Sequence, residues 1–552
     1  MNTILTLLGS EQMRLYSAAG LWRNETIYAL VRAHAERHPE RHAVRERLRR
    51  ISYGELVAAA DRFAADLASH GVKPGQRLAV WLPSRIERAV ALLACSRNGY
   101  VCCPSLHRDH TAVEVIELIR RIRAAAFVAQ PGYGADAGGR DLFAELAQVE
   151  SLRCVYRLEP VTDDCRIFAN AGGAASAAAK ADPNAIVYLA FTSGTTGVPK
   201  GVLHSDNTLL ANARVMAADW RIGTDSVVYA LSPLSHNLAF GAMVMALSAG
   251  GELVLHDLPR GASLVDRVVE TGATFLVGVP THAVDLLQEM RDRRLERLGR
   301  VSGFRISGAA VSSDVAAALL ERGVVPQSGY GMTESCSHQY TLPSDDPKLI
   351  VETSGRACRG YEIRIWRVDD CDTEAAIGEV GEIGGRGASL MLGYFDDQRA
   401  TEDSFNAHGW FMTGDLGWMD ANGYLRVTGR KKDVIIRGGH NIHPARIEML
   451  AMQHEAVERA AVIPVRDARL GEKVCLAVVF RDSRRADAAE LLAHLDHAGL
   501  SRYEMPEYFL VLEHIPLTPS GKVRKRDLVE AIEQGRLTPT PIRGQERQQA
   551  SQ

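Results

Sequence analysis

The sequence has no excess of either charge. Its 64 lysines and arginines against 67 aspartates and glutamates leave a formal charge of −3 at neutral pH, whereas a nucleic-acid-binding chain carries a strong cationic surplus. It has no CxxC pair and no Cys/His cluster at zinc spacing. The nine cysteines, Cys95, Cys102, Cys103, Cys154, Cys165, Cys336, Cys358, Cys371 and Cys475, are odd in number and scattered, and read as reduced thiols in a cytoplasmic protein. It lacks a long unbroken apolar run: stretches such as "GAMVMALSAGGELVL" are interrupted by glycine and too short to cross a bilayer. No cationic segment precedes the apolar residues of "MNTILTLLGSEQMR" and no small-residue cleavage site follows, so no signal peptide is expected. There is no periodic repeat.

What is present is an ordinary folded composition, 46% hydrophobic and 24% charged, over 552 residues, more than one core usually fills. Helix-like and strand-like segments alternate, which points to α/β layers. "ISYGELVAAADRFAADLASHG" has helical spacing of its apolar positions, "QRLAVWLPS" reads as a buried strand, and "RIERAVALLACSRNGYVCCPS" repeats the switch. A low-complexity joint, 171–184, leads into the strand "AIVYLAF". Beyond Gly378 short strands and turns take over, with Asn422-Gly423 as a hairpin signal. After the charge cluster Arg430-Lys431-Lys432-Asp433 comes a smaller α/β unit. The boundary is placed at Lys432, giving domains 1–431 and 432–552.

The strand "AIVYLAF" opens into "TSGTTGVPKG". Gly194, Gly197 and Gly201, with Ser193, Thr195 and Thr196, permit a tight turn whose N–H groups and hydroxyls converge on one anion, and Lys200 adds a point charge. This suits a polyphosphate but is not the Walker pattern, because Gly194 and Gly197 are too close and Lys200 is followed by glycine. A plain surface turn is the alternative that the cluster alone leaves open.

The segment resembles the phosphate loop of the adenylate-forming superfamily, which includes acyl-CoA synthetases, carrier-protein adenylation domains and beetle luciferase. Five further stretches resemble that family's motifs in its order, across roughly residues 25 to 530: "PLSHNLAF", "SGYGMTES", "GWFMTGDLG", "LRVTGRKKDVIIRGGHNIHP" and "PLTPSGKVRK". The resemblance implies a large N-terminal domain of two α/β subdomains plus a small distorted β-barrel, then a small mobile α/β C-terminal domain. It also implies a chemistry. A carboxylate is a poor electrophile, so it attacks the α-phosphorus of ATP, forming an acyl-adenylate and releasing pyrophosphate; coenzyme A then takes the acyl group. No enzyme nucleophile is required, and catalysis rests on positioning and charge stabilisation.

By the same resemblance Thr192 to Thr196 and Lys200 hold the phosphates, and Thr333 contacts the α-phosphate. Glu334, with Thr195, holds Mg²⁺, a hard cation that prefers oxygen ligands. Adenine lies between Tyr330-Gly331 and the backbone of Gly308, Ala309 and Ala310, with Ala309 standing where the family commonly has glycine. Asp415 accepts from the ribose hydroxyls and Arg430 lies near the ribose. Lys522 stabilises charge during adenylation, Lys432 is the hinge, and Gly439 leaves room for pantetheine. The loop "PLTPSGK" also fits the pattern that protein lysine acetyltransferases modify, so reversible acetylation of Lys522, with a deacetylase reversing it, is expected to regulate activity. Arg446 stands where the pattern often has Glu.

The acyl pocket is placed by resemblance at His236, Phe240, Gly241, Val279, Gly329 and Cys336, with His236 either gating or catalytic, or else a satisfied buried histidine. No lysine or arginine lies obviously among them to select a second carboxylate. The run "YGMTESCSHQYTLPSDDPKLIVETSGRACRGYEIRIW" resembles cyclohexane-1-carboxylate:CoA ligases; medium-chain and benzoate-like acids compete, because apolar contact separates such groups weakly. Two other classes stay open: an adenylating enzyme that loads a carrier protein, and a nucleotide-binding regulator without catalysis.

Overall fold

The computed structural model describes residues 6–137, 139, 141–163, 165–169, 171–172, 181–192, 199–259, 261–308, 311–481, 484–517 and 523–542. Most of the low-complexity joint lies outside these. The chain forms two compact units, Met1–Ile363 with Gly385–Phe411, and Arg364–Gly384 with Met412–Gln552.

The first unit contains two largely parallel sheets. In a nine-stranded sheet, Val325–Met332, Gly303–Ile306, Phe275–Gly278, Val227–Ala230, Glu252–Leu255 and His42–Arg45 run parallel in that spatial order. In a seven-stranded sheet the parallel strands are Ile186–Phe191, Val101–Cys103, Arg77–Trp81, Ala124–Ala129 and Cys154–Arg157, with Gly201–Ser205 and then Gly393–Tyr394 added antiparallel. Helices Asp206–Asp219 and Asn237–Ser248 pack on each other, the former against the strands of the second sheet and the latter against those of the first.

Local chemistry accounts for these elements. Helix Tyr53–Ser69 starts at a capping box, where the Ser52 hydroxyl accepts from Glu55 N and the Glu55 carboxylate accepts from Ser52 N, satisfying two N–H groups that the first turn leaves orphaned. Its buried residues Leu56, Ala59, Ala60, Phe63 and Leu67 form one stripe, as an amphipathic helix requires. Helix Ile86–Asn98 is buried at all thirteen positions and stops at Gly99, φ +71°, a conformation glycine adopts without penalty. Its buried Glu87 is held by both forks of Arg49, at 2.9 Å each, and by Arg85 Nε at 2.8 Å. Without them a carboxylate there would cost several kcal/mol, on the order of 3–5.

The second unit carries a four-stranded sheet in the order Tyr361–Trp366, Gly381–Gly387, Phe411–Met419, Leu425–Arg430, where the resemblance implied a small barrel. It also carries a sheet built on the long pair Val457–Asp467 and Gly471–Phe480. Alternation buries both faces of that pair. Val462, Leu476 and Val478 meet Ile447 and Leu491 on one side, while Ala461, Ile463, Cys475 and Ala477 meet Leu528 on the other. The hairpin at Asn422-Gly423 exists, but only Gly423 takes positive φ, +81°. The loop is longer than two residues because Asp420 Oδ1 accepts from Asn422 N and Tyr424 N. The two-residue turn with both central φ positive is Gly438-Gly439, +55° and +87°, between Arg437 and His440, the geometry that matches strand twist. All nine cysteines are free thiols. Among the described residues no helix is long and apolar enough to cross a membrane.

Candidate active site

The strands flanking the glycine-rich segment, Ile186–Phe191 and Gly201–Ser205, pair antiparallel. Phe191 pairs with Gly201 and Thr192 N donates to Lys200 O at 2.9 Å, closing the hairpin base. Ser193, Gly194, Thr195 and Thr196 lie outside the described residues. Lys200 is half-buried, with its ammonium 4.5 Å from the centroid of the Tyr394 ring, a distance at which the ring face attracts a cation. Tyr394 pairs with Val202 on the next strand.

The same tyrosine reaches the acidic motif, its hydroxyl donating to Glu334 Oε1 at 2.9 Å. Burial, and then the Glu334 carboxylate, push the phenol pKa up, so it stays protonated as a donor. Thr333, Glu334 and Ser335 form the tip of a hairpin between Val325–Met332 and Cys336–Tyr340, not a helix cap. Gly331 makes this hairpin feasible: a Cβ there would stand 2.1 Å from the Cys336 carbonyl oxygen. Behind the tip, His204 Nε2 lies 2.7 Å from the Thr333 carbonyl oxygen and Nδ1 lies 3.1 Å from Thr208 Oγ1. A carbonyl only accepts, so Nε2 carries the proton and the Thr208 hydroxyl donates to Nδ1. Burial lowers the His204 pKa to about 4.

Tyr330 is half-buried and meets His338 edge-on, centroids 5.4 Å apart, while Ser307 Oγ donates to Gly329 O at 3.1 Å. Gly308 takes φ +97° beside Val279, whose Cγ1 would be 3.5 Å from a Cβ there. Ala309 and Ala310 lie outside the described residues.

On the acid side, His236 caps helix Asn237–Ser248 without a side-chain bond to it and stacks on His107 at 4.3 Å. Phe240 stacks on Tyr188 at 4.1 Å. Gly241 and Cys336 line one small cavity together with Met216, Asn237, Met245 and Arg305. Nothing stands within 4 Å of a Cβ built on Gly241. Cys336 takes φ +57°, and burial pushes its thiol up to about 12. None of the six positions named from the sequence is a lysine or arginine, but Arg305 lines the cavity at Gly241 and Cys336, its guanidinium 3.4–3.6 Å from where a Gly329 Cβ would be. The signal was there, a charged residue inside the buried strand "GFRI" just before Ser307-Gly308.

In the second unit, Asp415 is buried and faces Arg430 across two antiparallel strands, Oδ1 to Nε at 3.0 Å. Its turn is fixed by Thr413 Oγ1, which accepts from Asp415 N and donates to Ile383 O, and by Glu382, which accepts from Gly414 N and pairs with Lys431 at 2.8 Å. Lys432 is exposed in the one-turn helix Lys431–Asp433. Gly439 has nothing within 4 Å of a built Cβ. Lys522 lies outside the described residues, between Leu517 and Val523, which pair as an isolated bridge. Arg446 gains an account: it reaches the buried Glu504 at 3.1 Å and the Gly499 carbonyl at 3.0 Å.

Residues 31–395 match the family described as AMP-binding enzyme, and residues 446–522 match the AMP-binding enzyme C-terminal domain. The chain belongs to the AMP-binding enzyme family. It is 30% identical over 535 residues to a medium-chain fatty-acid–CoA ligase of Escherichia coli (strain K12), covering 95% of this chain and 94% of the relative. It is 31% identical to a salicyl-AMP ligase / salicyl-S-ArCP synthetase of Mycobacterium tuberculosis (strain ATCC 25618 / H37Rv), covering 94% and 92%. Among solved structures it superposes on ATP-bound MatB from Rhodopseudomonas palustris with TM-score 0.82 and 28% identity, covering 92% of this chain and 99% of that one. It superposes on o-succinylbenzoate CoA synthetase (MenE) from Bacillus subtilis in complex with the acyl-adenylate intermediate OSB-AMP with TM-score 0.79 and 26% identity, covering 91% and 98%. This family fold is mixed α/β, with a large N-terminal and a small C-terminal domain.

Two outcomes test this geometry. Tyr394→Phe removes the bond to Glu334 while keeping the ring under Lys200, and should lower kcat for adenylate formation about fivefold with Tm nearly unchanged, as loss of about 1 kcal/mol of one oriented hydrogen bond predicts; an unchanged kcat contradicts the linkage. His204 has a folded pKa below its unfolded value of 6.5, so the unfolded state binds the extra proton and the His204 contribution is lost as pH falls from about 6.5 toward 4. The stability gap between wild type and His204→Asn, read by urea denaturation, should therefore shrink by about 2 kcal/mol from pH 7 to pH 5. Using the difference cancels Asp206, whose carboxyl burial raises to about 7 and which acts with opposite sign. A gap independent of pH contradicts the neutral buried imidazole.

Proposed function

We propose that this chain is an AMP-forming carboxylate:CoA ligase. The observation that carries this reading is the linkage of Lys200 to Glu334 through Tyr394, beside the glycine-rich sequence, in a chain whose relatives match it over nearly its full length. A cation and an anion held that way suit a magnesium polyphosphate: Lys200 meets phosphate oxygens, and Glu334 offers the hard carboxylate oxygen that Mg²⁺ accepts beside water and phosphate. Magnesium there would neutralise charge on the phosphates.

In the first step the acid's carboxylate oxygen attacks the α-phosphorus, a new P–O bond forms, and the bond to the β-phosphate oxygen breaks to release pyrophosphate. Lys200 balances charge on the phosphates and the Thr333 hydroxyl is offered to the α-phosphate. Tyr330, Gly331 and the backbone from Gly308 to Ala310 hold adenine. Asp415, its carboxylate braced by Arg430, accepts from the ribose hydroxyls. In the second step the coenzyme A thiol attacks the acyl carbon and AMP leaves. Lys522 serves the first step, and rotation about Lys432, at the boundary between domains 1–431 and 432–552, withdraws it so that Gly439 admits pantetheine. Acetylation of Lys522 would remove its charge and stop the first step.

The acid is a compact alicyclic, aryl or medium-chain one, with cyclohexane-1-carboxylate leading on the resemblance of the run from Tyr330 to Trp366. A second reading, transfer to a carrier protein, is favoured by the salicyl-S-ArCP synthetase relative. CoA-dependent AMP release across a panel of acids separates the two, because a carrier-loading enzyme exchanges pyrophosphate with ATP without turning over CoA. Lys522→Ala should cut adenylate formation at least about a hundredfold, as loss of a charge contact to the reacting oxygens does, and leave thioester formation from supplied acyl-adenylate within about threefold; equal loss of both half-reactions contradicts the assignment.

A further inference from the structure

Arg305 lies within strand Gly303–Ile306, 2% exposed, and among the described residues no aspartate or glutamate pairs with it. Nη1 donates to Gln327 Oε1 at 2.6 Å and stands 3.5 Å from Met216 Sδ, but Nη2 is buried with no hydrogen-bond partner among the described residues. Burial lowers its pKa only to about 10, so it is a cation at neutral pH. A buried cation with an N–H group unsatisfied loses the solvation of water and gains nothing in return, and an apolar residue of similar volume would be more favourable. Its setting supplies the reason to keep it. Arg305 shares a cavity wall with Gly241, Met245 and Cys336, the acid side of the site. The neighbouring polar wall group is already satisfied, since the Asn212 amide both donates to Ser337 O and accepts from Ser337 N. Gly329 puts no side chain between the guanidinium and Tyr330: the Arg305 nitrogens begin 3.4 Å from where a Cβ would stand.

We propose that Arg305 selects the acid: the substrate carries a second oxygen acceptor, a carbonyl, hydroxyl or carboxylate oxygen, away from the carboxylate that is adenylated, and this oxygen accepts a hydrogen bond from Nη2. The inference rests on the ligase reading and narrows its acids to those bearing that oxygen. The cavity, about 20 Å³, has room for that oxygen and not for the carbon frame. A site that must pair a buried donor rejects the analogue lacking the acceptor far more strongly than an apolar pocket rejects a missing methylene.

The test is CoA-dependent AMP release by the full-length protein on paired acids with cyclohexyl, phenyl and linear medium-chain frames, each offered plain and with a keto, hydroxyl or second carboxylate group at several positions. In the wild type the best oxygen-bearing acid should exceed its plain parent in kcat/KM by about a hundredfold or more. In Arg305→Met that preference should fall to within about threefold, and Tm should rise, because the uncompensated cation is gone. Equal use of plain and oxygen-bearing acids by the wild type overturns the inference and leaves the ligase reading standing, as does a preference that survives in Arg305→Met. Absence of AMP release with every acid overturns the ligase reading and this inference together. Should Arg305→Met fail to fold, the wild-type ratios alone decide.

Discussion

The Tyr394 side chain works in two directions at once, its ring face under the Lys200 ammonium and its hydroxyl on the Glu334 carboxylate. The rest of the first unit's site depends on that double contact. Tyr394 can make it only because Gly393–Tyr394 pairs with Gly201–Ser205, which fixes the tyrosine next to the strand that follows the glycine-rich turn. The Glu334 side can meet it only because Gly331 lets the hairpin close against the Cys336 carbonyl. The cation and the anion come from segments more than a hundred residues apart, and each lies next to paired strands, Lys200 before Gly201–Ser205 and Glu334 between Val325–Met332 and Cys336–Tyr340, which supplies the rigidity a preorganised electrostatic site requires.

Around that linkage the interior holds polar groups that are individually costly to bury, and how each is compensated distinguishes support from function. Glu87 is fully enclosed but carries two arginines. His204 is enclosed and stays neutral, its two nitrogens committed to Thr333 and Thr208, so it braces the acidic hairpin without adding charge. Asp206 accepts from Ile27 N and Ser96 Oγ, tying helix Asp206–Asp219 to its neighbours. These three are satisfied and read as scaffold. Among the described residues Arg305 Nη2 is not, and the difference lies in where it opens: onto the cavity at Gly241 and Cys336 rather than into packed core.

Much of this was legible because the informative features are short and local. The glycine, serine and threonine cluster with Lys200, the Thr333-Glu334 pair and Asp415 after Gly414 each form a linear pattern whose backbone demands can be read from residue type. Tyr394 and Arg305 were not, because their roles arise from strands brought side by side by the sheets: Tyr394 matters through Val202, Arg305 through Gln327 and the space at Gly241. Arg446, unexplained by any pattern, makes sense only beside Glu504, which folds next to it from a distant segment. The turn at Asn422-Gly423 went the same way, its length set by the Asp420 carboxylate rather than by the dipeptide.

The central claim is that the acid's own oxygen attacks the α-phosphorus, with the enzyme supplying charge and position and no nucleophile. Following oxygen tests it most directly. With both carboxylate oxygens of the acid labelled with ¹⁸O and the reaction run with ATP, magnesium and coenzyme A, mass spectrometry of the nucleotide product should find one ¹⁸O in AMP and none in pyrophosphate. Label in phosphate or pyrophosphate, or unlabelled AMP formed together with thioester, contradicts it.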